Sequence, residues 1–200
     1  MRARALLVEL LEVVVLAAVL FLAVHFAIQP VIVSGPSMYP TVTNNQYLIA
    51  LKYPYYLHNP ERGDIIIMKS PYDPDVDFIK RVIGLPGETI LIKGGTIYIN
   101  GRVLCESYLR SGVDGAWTVN ANWPASGKPY HLGSTQYFVM GDNRNVSEDS
   151  RIFGPIPRSS ILAEAWLRIY PVNTFGSVDP QRGQLTTATT PATADCPSSA

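Results

Sequence analysis

Residues 96–104 have the sequence Thr-Ile-Tyr-Ile-Asn-Gly-Arg-Val-Leu, in which two apolar runs flank an Asn-Gly pair. Asn-Gly supplies the positive φ angles that a type I′ turn needs, and that turn matches the twist of two antiparallel strands. The stretch therefore predicts a β-hairpin.

Short apolar runs bounded by Gly, Pro, Asn or Asp recur on both sides of this hairpin. Such spacing predicts strands of a sandwich or barrel, and the 16 prolines and 15 glycines fit a chain rich in turns. We therefore expect a mainly β fold, with a β-domain over residues 30–171. The runs that predict its strands are Val31–Val33, Tyr47–Leu51, Asp64–Met68, Phe78–Ile83, Thr89–Ile92, Tyr137–Met140 and Ile161–Tyr170.

Two segments depart from this pattern. The chain from Cys105 to Leu132 is polar and rich in Gly, Pro and Ser, which indicates a small inserted subdomain at about residues 94–136. Residues 172–200 turn into Thr, Ala, Pro and Ser without apolar periodicity, and we expect this tail to be disordered.

The N-terminus carries an apolar run from Leu6 to Ile28, preceded by Arg2 and Arg4. A helix of that length covers about 34 Å, enough to cross a bilayer. We expect residues 1–29 to form one transmembrane anchor, and the arginines predict a cytoplasmic N-terminus with the remainder outside the membrane. A cleaved signal peptide is the alternative, but no small-x-small pair follows the run at a suitable distance.

The composition excludes several classes of function. Sixteen basic and sixteen acidic residues balance, so no net field points to a nucleic acid as partner. The two cysteines, Cys105 and Cys196, indicate neither a disulfide framework nor a zinc site. The three histidines, His25, His58 and His131, lack ligand spacing, so we expect no catalytic metal and no cofactor.

Ser37 and Lys80 are candidates for a nucleophile and its base. Ser37 lies in a Gly-Pro-Ser turn nine residues after the apolar run, so an extended chain keeps it within about 30 Å of the bilayer. A serine hydroxyl needs a base. Lys80 shares one face of a predicted strand with Phe78 and Val82, and an apolar environment lowers the pKa of a lysine. An isolated lysine more often keeps its ammonium in water. The strand pattern alone therefore does not decide whether Lys80 is a buried base or a solvated surface lysine.

A third motif occupies residues 141–151, Gly-Asp-Asn-Arg-Asn-Val-Ser-Glu-Asp-Ser-Arg, which is dense in charges and hydroxyl groups. Asp149 and Arg151 can pair and support a loop, which leaves Ser147 free to orient a neighbouring amine.

These segments resemble the sequence boxes of the bacterial type I signal peptidases, a family of serine–lysine proteases. The resemblance covers the anchor and four boxes in the family's order: 34–41, 62–71, 78–90 and 141–157. It implies a signal-peptidase-like β-fold and a membrane enzyme with an extracytoplasmic catalytic domain, and the single anchor of this chain, which makes it single-pass, departs from relatives that have two. Its implied partners are the lipid bilayer and pre-proteins that carry signal peptides, cut after small residues at −1 and −3.

The resemblance also implies roles for individual residues. Ser37 matches the acylating nucleophile, Lys80 the general base and Ser147 the serine that orients that lysine. Asp149 and Arg151 match a supporting pair, and Met38 borders the pocket. Where Gram-negative relatives carry a serine two positions before the nucleophile, this chain has Gly35, so main-chain donors remain for the oxyanion. The substrate is expected to add as a strand between two segments, through Val31, Ile32 and Val33 on one side and Asp77, Phe78 and Ile79 on the other.

Two other functions remain open at this point. One is a related Ser–Lys processing peptidase with a dedicated substrate. The other is a membrane-tethered β-domain that binds peptides without cleaving them, which requires Ser37 and Lys80 to lie far apart. A self-cleaving repressor is not favoured, since the chain has an anchor and no basic DNA-binding domain.

Overall fold

A computed structural model describes residues 2–109, 123–124, 127–178 and 184–185, which form one long helix and two antiparallel sheets. The α-helices are α1 (Arg2–Ala27), α2 (Pro54–Leu57) and α3 (Ser150–Phe153), and short 3-10 turns occur at Arg158–Ser160 and Val172–Thr174. The strands are β1 (Ile28–Ile32), β2 (Tyr47–Leu51), β3 (Ile65–Lys69), β4 (Asp77–Gly84), β5 (Thr89–Lys93), β6 (Thr96–Ile99), β7 (Arg102–Cys105), β8 (Tyr130–His131), β9 (Gln136–Met140), β10 (Ile156–Pro157), β11 (Ile161–Tyr170), β12 (Gly176–Ser177) and β13 (Gln184–Leu185). The expected mainly β fold with one N-terminal apolar helix is confirmed.

Helix α1 stands apart from the rest of the chain. Its segment Leu6–Ala27 is apolar over 22 residues and none of it is buried, so its length and composition suit a membrane span. The helix ends at Ala27, two residues before the predicted boundary, because β1 begins at Ile28. Lys52 N–H donates to the carbonyl oxygen of Ala27 at 2.8 Å, which joins the helix end to the residue that follows β2.

The larger sheet has the order β1-β2-β11-β3-β4-β9-β10, with β12 added to β11. Among the described residues, β1 pairs with β2 alone, so one of its edges is free. Strand β4 pairs with β3 along Asp77–Arg81, but β9 joins its other edge only from Arg81 onward. The segment 77–80 therefore also has one free edge.

The smaller sheet has the order β13-β7-β6-β5-β8 and contains the predicted hairpin. Tyr98 pairs with Val103, and Asn100 and Gly101 have φ angles of 52° and 77°, as the Asn-Gly pair predicted. This sheet begins at Thr89, before the predicted start of the insertion at about 94, because β5 pairs with both β6 and β8.

Part of the predicted disordered tail is structured. Gly176–Ser177 pairs with β11, and Val178 is buried in the same apolar cluster as Val33 and Met38, which fixes this segment on the main sheet. Gln184–Leu185 pairs with β7. The rest of the predicted tail, 179–183 and 186–200, lies outside the described residues.

The smaller sheet also changes the interpretation of the cysteines. Cys105, at the end of β7, is buried and disulfide-bonded, whereas its spacing in the sequence did not indicate a disulfide. Cys196, the other cysteine of the chain, lies outside the described residues.

Candidate active site

Ser37 lies in a turn that main-chain and side-chain hydrogen bonds hold in place. Gly35 has a φ of +94°, which a residue with a Cβ adopts only with strain, and its N–H donates to Asn44 Oδ1 at 2.8 Å. Tyr39 N–H donates to the carbonyl of Pro36 at 3.0 Å and closes the turn. Met38 is buried in the core, so the neighbouring Ser37 is fixed at the edge of the fold.

Lys80 lies on β4 and is buried, with only 3% of the residue exposed. Its Nζ lies 5.1 Å from the centroid of the Phe78 ring, on the face of the strand that alternation predicted. Burial removes water from the ammonium and lowers the pKa of Lys80 from 10.5 to about 8. The carboxylates of Asp149 and Glu148 raise this pKa, and Arg151 lowers it, but desolvation has the largest effect.

Ser37 and Lys80 line the same cavity, which has a volume of about 240 Å³. All six residues predicted to bind substrate line it as well. The full lining consists of Val31, Ile32, Val33, Ser34, Ser37, Ile67, Asp77, Phe78, Ile79, Lys80, Val146 and Glu148. The cavity thus lies between the free edges of β1 and β4. Gln29 Nε2 donates to Asp77 Oδ2 at 3.2 Å and bridges the two strands near the end of α1.

The loop of residues 141–151 packs directly against the Ser37 turn. Asn143 donates its backbone N–H to the carbonyl of Ser37 at 3.0 Å and its side-chain amide to the carbonyl of Pro36 at 3.2 Å. Gly141 approaches so closely that a Cβ there would lie 2.3 Å from the oxygen of Ser37 and 2.2 Å from Ser147 Oγ. Only glycine fits at this position.

Asp149 and Arg151 form the predicted pair, and both are completely buried. Arg151 donates from Nε to Asp149 Oδ1 at 2.8 Å and from Nη2 to Oδ2 at 2.7 Å. The same carboxylate caps α3 at its N-terminus and accepts from Gly141 N–H at 3.0 Å. Arg151 Nη1 donates to the carbonyl of Arg144 at 2.7 Å. The pair therefore holds the loop of residues 141–151 in its folded conformation.

Ser147 is buried under this loop, beside Gly141. Its hydroxyl group makes no hydrogen bond within the described part of the chain, so the expected bond to Lys80 is not formed in this conformation. Its neighbours Val146 and Glu148 line the cavity. The site residues predicted outside the substrate strands thus fall into two groups: Ser37 and Lys80 at the cavity, and Gly35, Met38, Ser147, Asp149 and Arg151 around it.

A second buried ion pair was not predicted from the sequence. Arg81, next to Lys80, donates to both carboxylate oxygens of Asp142 at 2.8 and 2.7 Å. Asp142 Oδ2 also accepts from the hydroxyl of Thr41 at 2.5 Å. The Asp142 carboxylate therefore joins β4, the loop of residues 141–151 and the turn that carries Ser37. Both residues lie within segments that the sequence analysis singled out, Arg81 in 78–90 and Asp142 in 141–157, but nothing in the sequence indicated that they pair.

No metal site is apparent in the part of the chain that the structure describes, where no three His, Cys, Asp or Glu side chains are grouped to bind an ion.

Comparison with known proteins places these features in a family context. The profile of the family described as signal peptidase, peptidase S26, matches residues 7–170. A signal peptidase I of Leptolyngbya laminosa is 37% identical over 182 residues, which cover 87% of this chain and 85% of that protein. One of Bacillus amyloliquefaciens is 40% identical over 139 residues, which cover 70% and 72%. A solved signal peptidase I from Enterococcus faecalis V583 is 35% identical and covers 54% of this chain and 97% of its own, with a TM-score of 0.43.

Proposed function

This chain belongs to the peptidase S26 family of signal peptidases, and we propose that it removes N-terminal signal peptides from exported pre-proteins with a Ser37–Lys80 dyad. One observation carries the assignment of the dyad: a serine in a fixed turn and a buried lysine of lowered pKa line one cavity. A peptide-binding domain without activity was expected to keep these two side chains far apart.

The reaction begins when the neutral amine of Lys80 accepts the proton of the Ser37 hydroxyl. Ser37 Oγ forms a bond to the carbonyl carbon of the scissile peptide, and the backbone N–H of Ser37 donates to the resulting oxyanion. One such donor is worth about 3 kcal/mol of barrier. The Lys80 ammonium then protonates the leaving nitrogen, which breaks the C–N bond and leaves an acyl-enzyme. A water molecule, deprotonated by Lys80, hydrolyses the ester and restores Ser37.

The burial of Lys80 is what makes this chemistry feasible near neutral pH. A lysine that titrates at 10.5 is almost entirely charged at pH 8 and has no lone pair to offer. With its pKa lowered to about 8, Lys80 is half neutral at that pH. A shift of this size raises the population of free base by roughly a hundredfold.

The substrate binds in an extended conformation between β1 and β4. Both strands have a free edge at the cavity, so a peptide segment can hydrogen-bond to each of them, a form of β-augmentation. Val33, Ile67 and Ile79 contribute apolar side chains to the cavity, and we expect the space that they leave next to Ser37 to be shallow. Such space favours the small residues at −1 and −3 that the family resemblance implies.

Helix α1 holds the enzyme at the membrane in a single-pass arrangement. Its apolar segment Leu6–Ala27 has the length of a span, and no linker separates it from β1. The arginines at positions 2 and 4 favour a cytoplasmic N-terminus and an extracytoplasmic catalytic domain. A pre-protein still held in the bilayer by its signal peptide then reaches the cavity from the same membrane.

The proposal is tested by incubating the detergent-solubilised protein with a pre-protein and sequencing the new N-terminus of the product. We expect one cut after a small residue, and no cut by Ser37→Ala, which keeps the turn. Efficient cleavage after Phe, Leu or Lys at −1 would contradict signal peptide processing, although the chain would still be a protease. Turnover by Ser37→Ala above a few per cent of the wild-type level would remove Ser37 from the mechanism.

A further inference from the structure

The segment that follows β7 contacts two buried arginines near the site, Arg144 in the loop of residues 141–151 and Arg81 in β4. Glu106 accepts from Arg144 Nη1 at 2.9 Å and also from Nη2, and Arg144 is completely buried. The guanidinium of Arg81 lies over the ring of Tyr108, with 4.0 Å between Arg81 Cζ and the ring centroid. The first residues of the connection between β7 and β8 are therefore attached to Arg144 and Arg81, next to the active site.

Trp123 lies nearer the end of the same connection between β7 and β8 and attaches it to α3. Its backbone N–H donates to the carbonyl of Arg151 at 3.0 Å. Its indole ring lies against Gly154, where an added Cβ would be 3.4 Å from ring atoms Cε2 and Nε1. The ring also packs edge to face on Tyr130, with 5.0 Å between centroids and an interplanar angle of 88°. Tyr130 is in β8, so Trp123 connects the smaller sheet to α3.

Helix α3 needs such an external support. It has only four residues, Ser150–Phe153, and a helix of one turn is not stable without tertiary contacts. Arg151 in this helix extends to the carbonyls of Arg144 and Ser147, at 2.7 and 3.5 Å. Any shift of α3 is therefore passed on to Ser147, the residue whose hydroxyl is expected to orient Lys80.

We propose that Trp123 is a positioning residue for the reaction, which holds α3 and thereby places Ser147 relative to Lys80. The proposal rests on the proposed function, because it gives Trp123 an effect only through the orientation of the base. Trp123 does not line the cavity, so it acts on the rate of the chemical steps and not on the binding of the peptide.

The test is a double-mutant cycle on the full-length protein in detergent, with a soluble peptide that contains a cleavage site. We expect Trp123→Ala to lower kcat about tenfold with KM within about twofold, since the reacting groups are misplaced but the cleft is intact. In the Ser147→Ala background the same change should lower kcat less than about twofold, because the orienting hydroxyl is already absent. Trp123→Phe, which keeps a ring against Gly154, should retain most of the activity.

Tyr56→Ala is the matched control, because Tyr56 is an exposed aromatic residue of α2, away from the cavity, and its loss should leave kcat unchanged. If Trp123→Ala unfolds below the assay temperature, Trp123→Leu is carried through the same cycle.

The outcomes separate this proposal from the proposed function. An equal loss of kcat in both backgrounds would show that Trp123 supports the fold alone, and an unchanged kcat would show no role at all. Either result overturns the proposal. Activity of Ser37→Ala, measured with Trp123 intact, would instead overturn the dyad.

Discussion

Asn143 donates its backbone N–H to the carbonyl oxygen of Ser37 at 3.0 Å, although the two residues are separated by most of the β-domain. This bond and the bond from the side-chain amide of Asn143 to the carbonyl of Pro36 join the Ser37 turn to the loop of residues 141–151. The geometry of the site therefore depends on contacts behind Ser37 as much as on the cavity in front of it.

The first prediction concerns Gly141, the closest point of this contact. We expect Gly141→Ala to abolish activity, because the new Cβ would lie 2.2 Å from Ser147 Oγ and 2.3 Å from the oxygen of Ser37. Peptide cleavage measures the effect. Gly133→Ala is the control, since its Cβ meets only the end of the Gln136 side chain, at 3.2 Å, and it should stay active. An active Gly141→Ala enzyme would show that the turn and the loop are not rigidly coupled.

A second prediction concerns the unpaired hydroxyl of Ser147. Ser147→Ala should lower kcat by on the order of a hundredfold, the effect of losing a group that sets reacting geometry. Because Ser147 Oγ makes no hydrogen bond in the described part of the chain and a buried hydroxyl without a partner is costly, the thermal unfolding midpoint should not fall. The two measurements are made on the same preparation. A wild-type rate would exclude an orienting role for Ser147 in this chain.

Most strands and the supporting pair Asp149–Arg151 could be predicted from the sequence, and Ser37 and Lys80 line one cavity as the family resemblance implies, whereas other contacts behind the site could not be predicted. Alternating or continuous apolar runs mark strands directly, and the turn around Ser37 is visible as Gly-Pro-Ser. The pairing of Arg144 with Glu106 depends on the chain path between the two sheets, which no local pattern encodes. The burial of Val178 was missed for a similar reason, since a single apolar residue in a polar tail has no periodicity.

We expect helix α1 to increase how often the enzyme meets a membrane-held substrate, without changing the rate of bond cleavage. A variant that begins at Ile28 keeps all of β1 and loses, with the helix, the bond from Lys52 N–H to Ala27 that joins α1 to the described β-domain. We expect it to cleave a soluble peptide at the wild-type rate and a membrane-inserted precursor much more slowly, because the helix raises the effective concentration of the tethered substrate. Both substrates are assayed side by side, and an equal loss on the two would contradict this separation of roles.

A fourth prediction follows from the lowered pKa of Lys80. The rate should rise with pH, with a midpoint near 8, and reach a plateau when the amine is neutral. A pH profile of kcat/KM between pH 6 and 10 measures this. Lys80→Arg should be inactive at every pH, because a guanidinium stays protonated in proteins. A rate that is constant between pH 6 and 9, or substantial activity in Lys80→Arg, would exclude a neutral lysine as the base.

The same pKa makes a prediction about stability. In the unfolded chain Lys80 titrates at 10.5 and in the folded chain at about 8, so the unfolded state binds the proton more tightly. Stability therefore falls as the pH drops from 10.5 to 8, and the full penalty, about 3 kcal/mol, applies below pH 8. Lys80→Met removes the charge that is costly to bury.

Urea unfolding of this variant, which we expect to be inactive, should therefore show higher stability than the wild type at pH 6, with the difference vanishing above pH 10.5. A variant less stable than wild type at pH 6 would mean that the Asp149 and Glu148 carboxylates, which raise the pKa of Lys80, outweigh its desolvation.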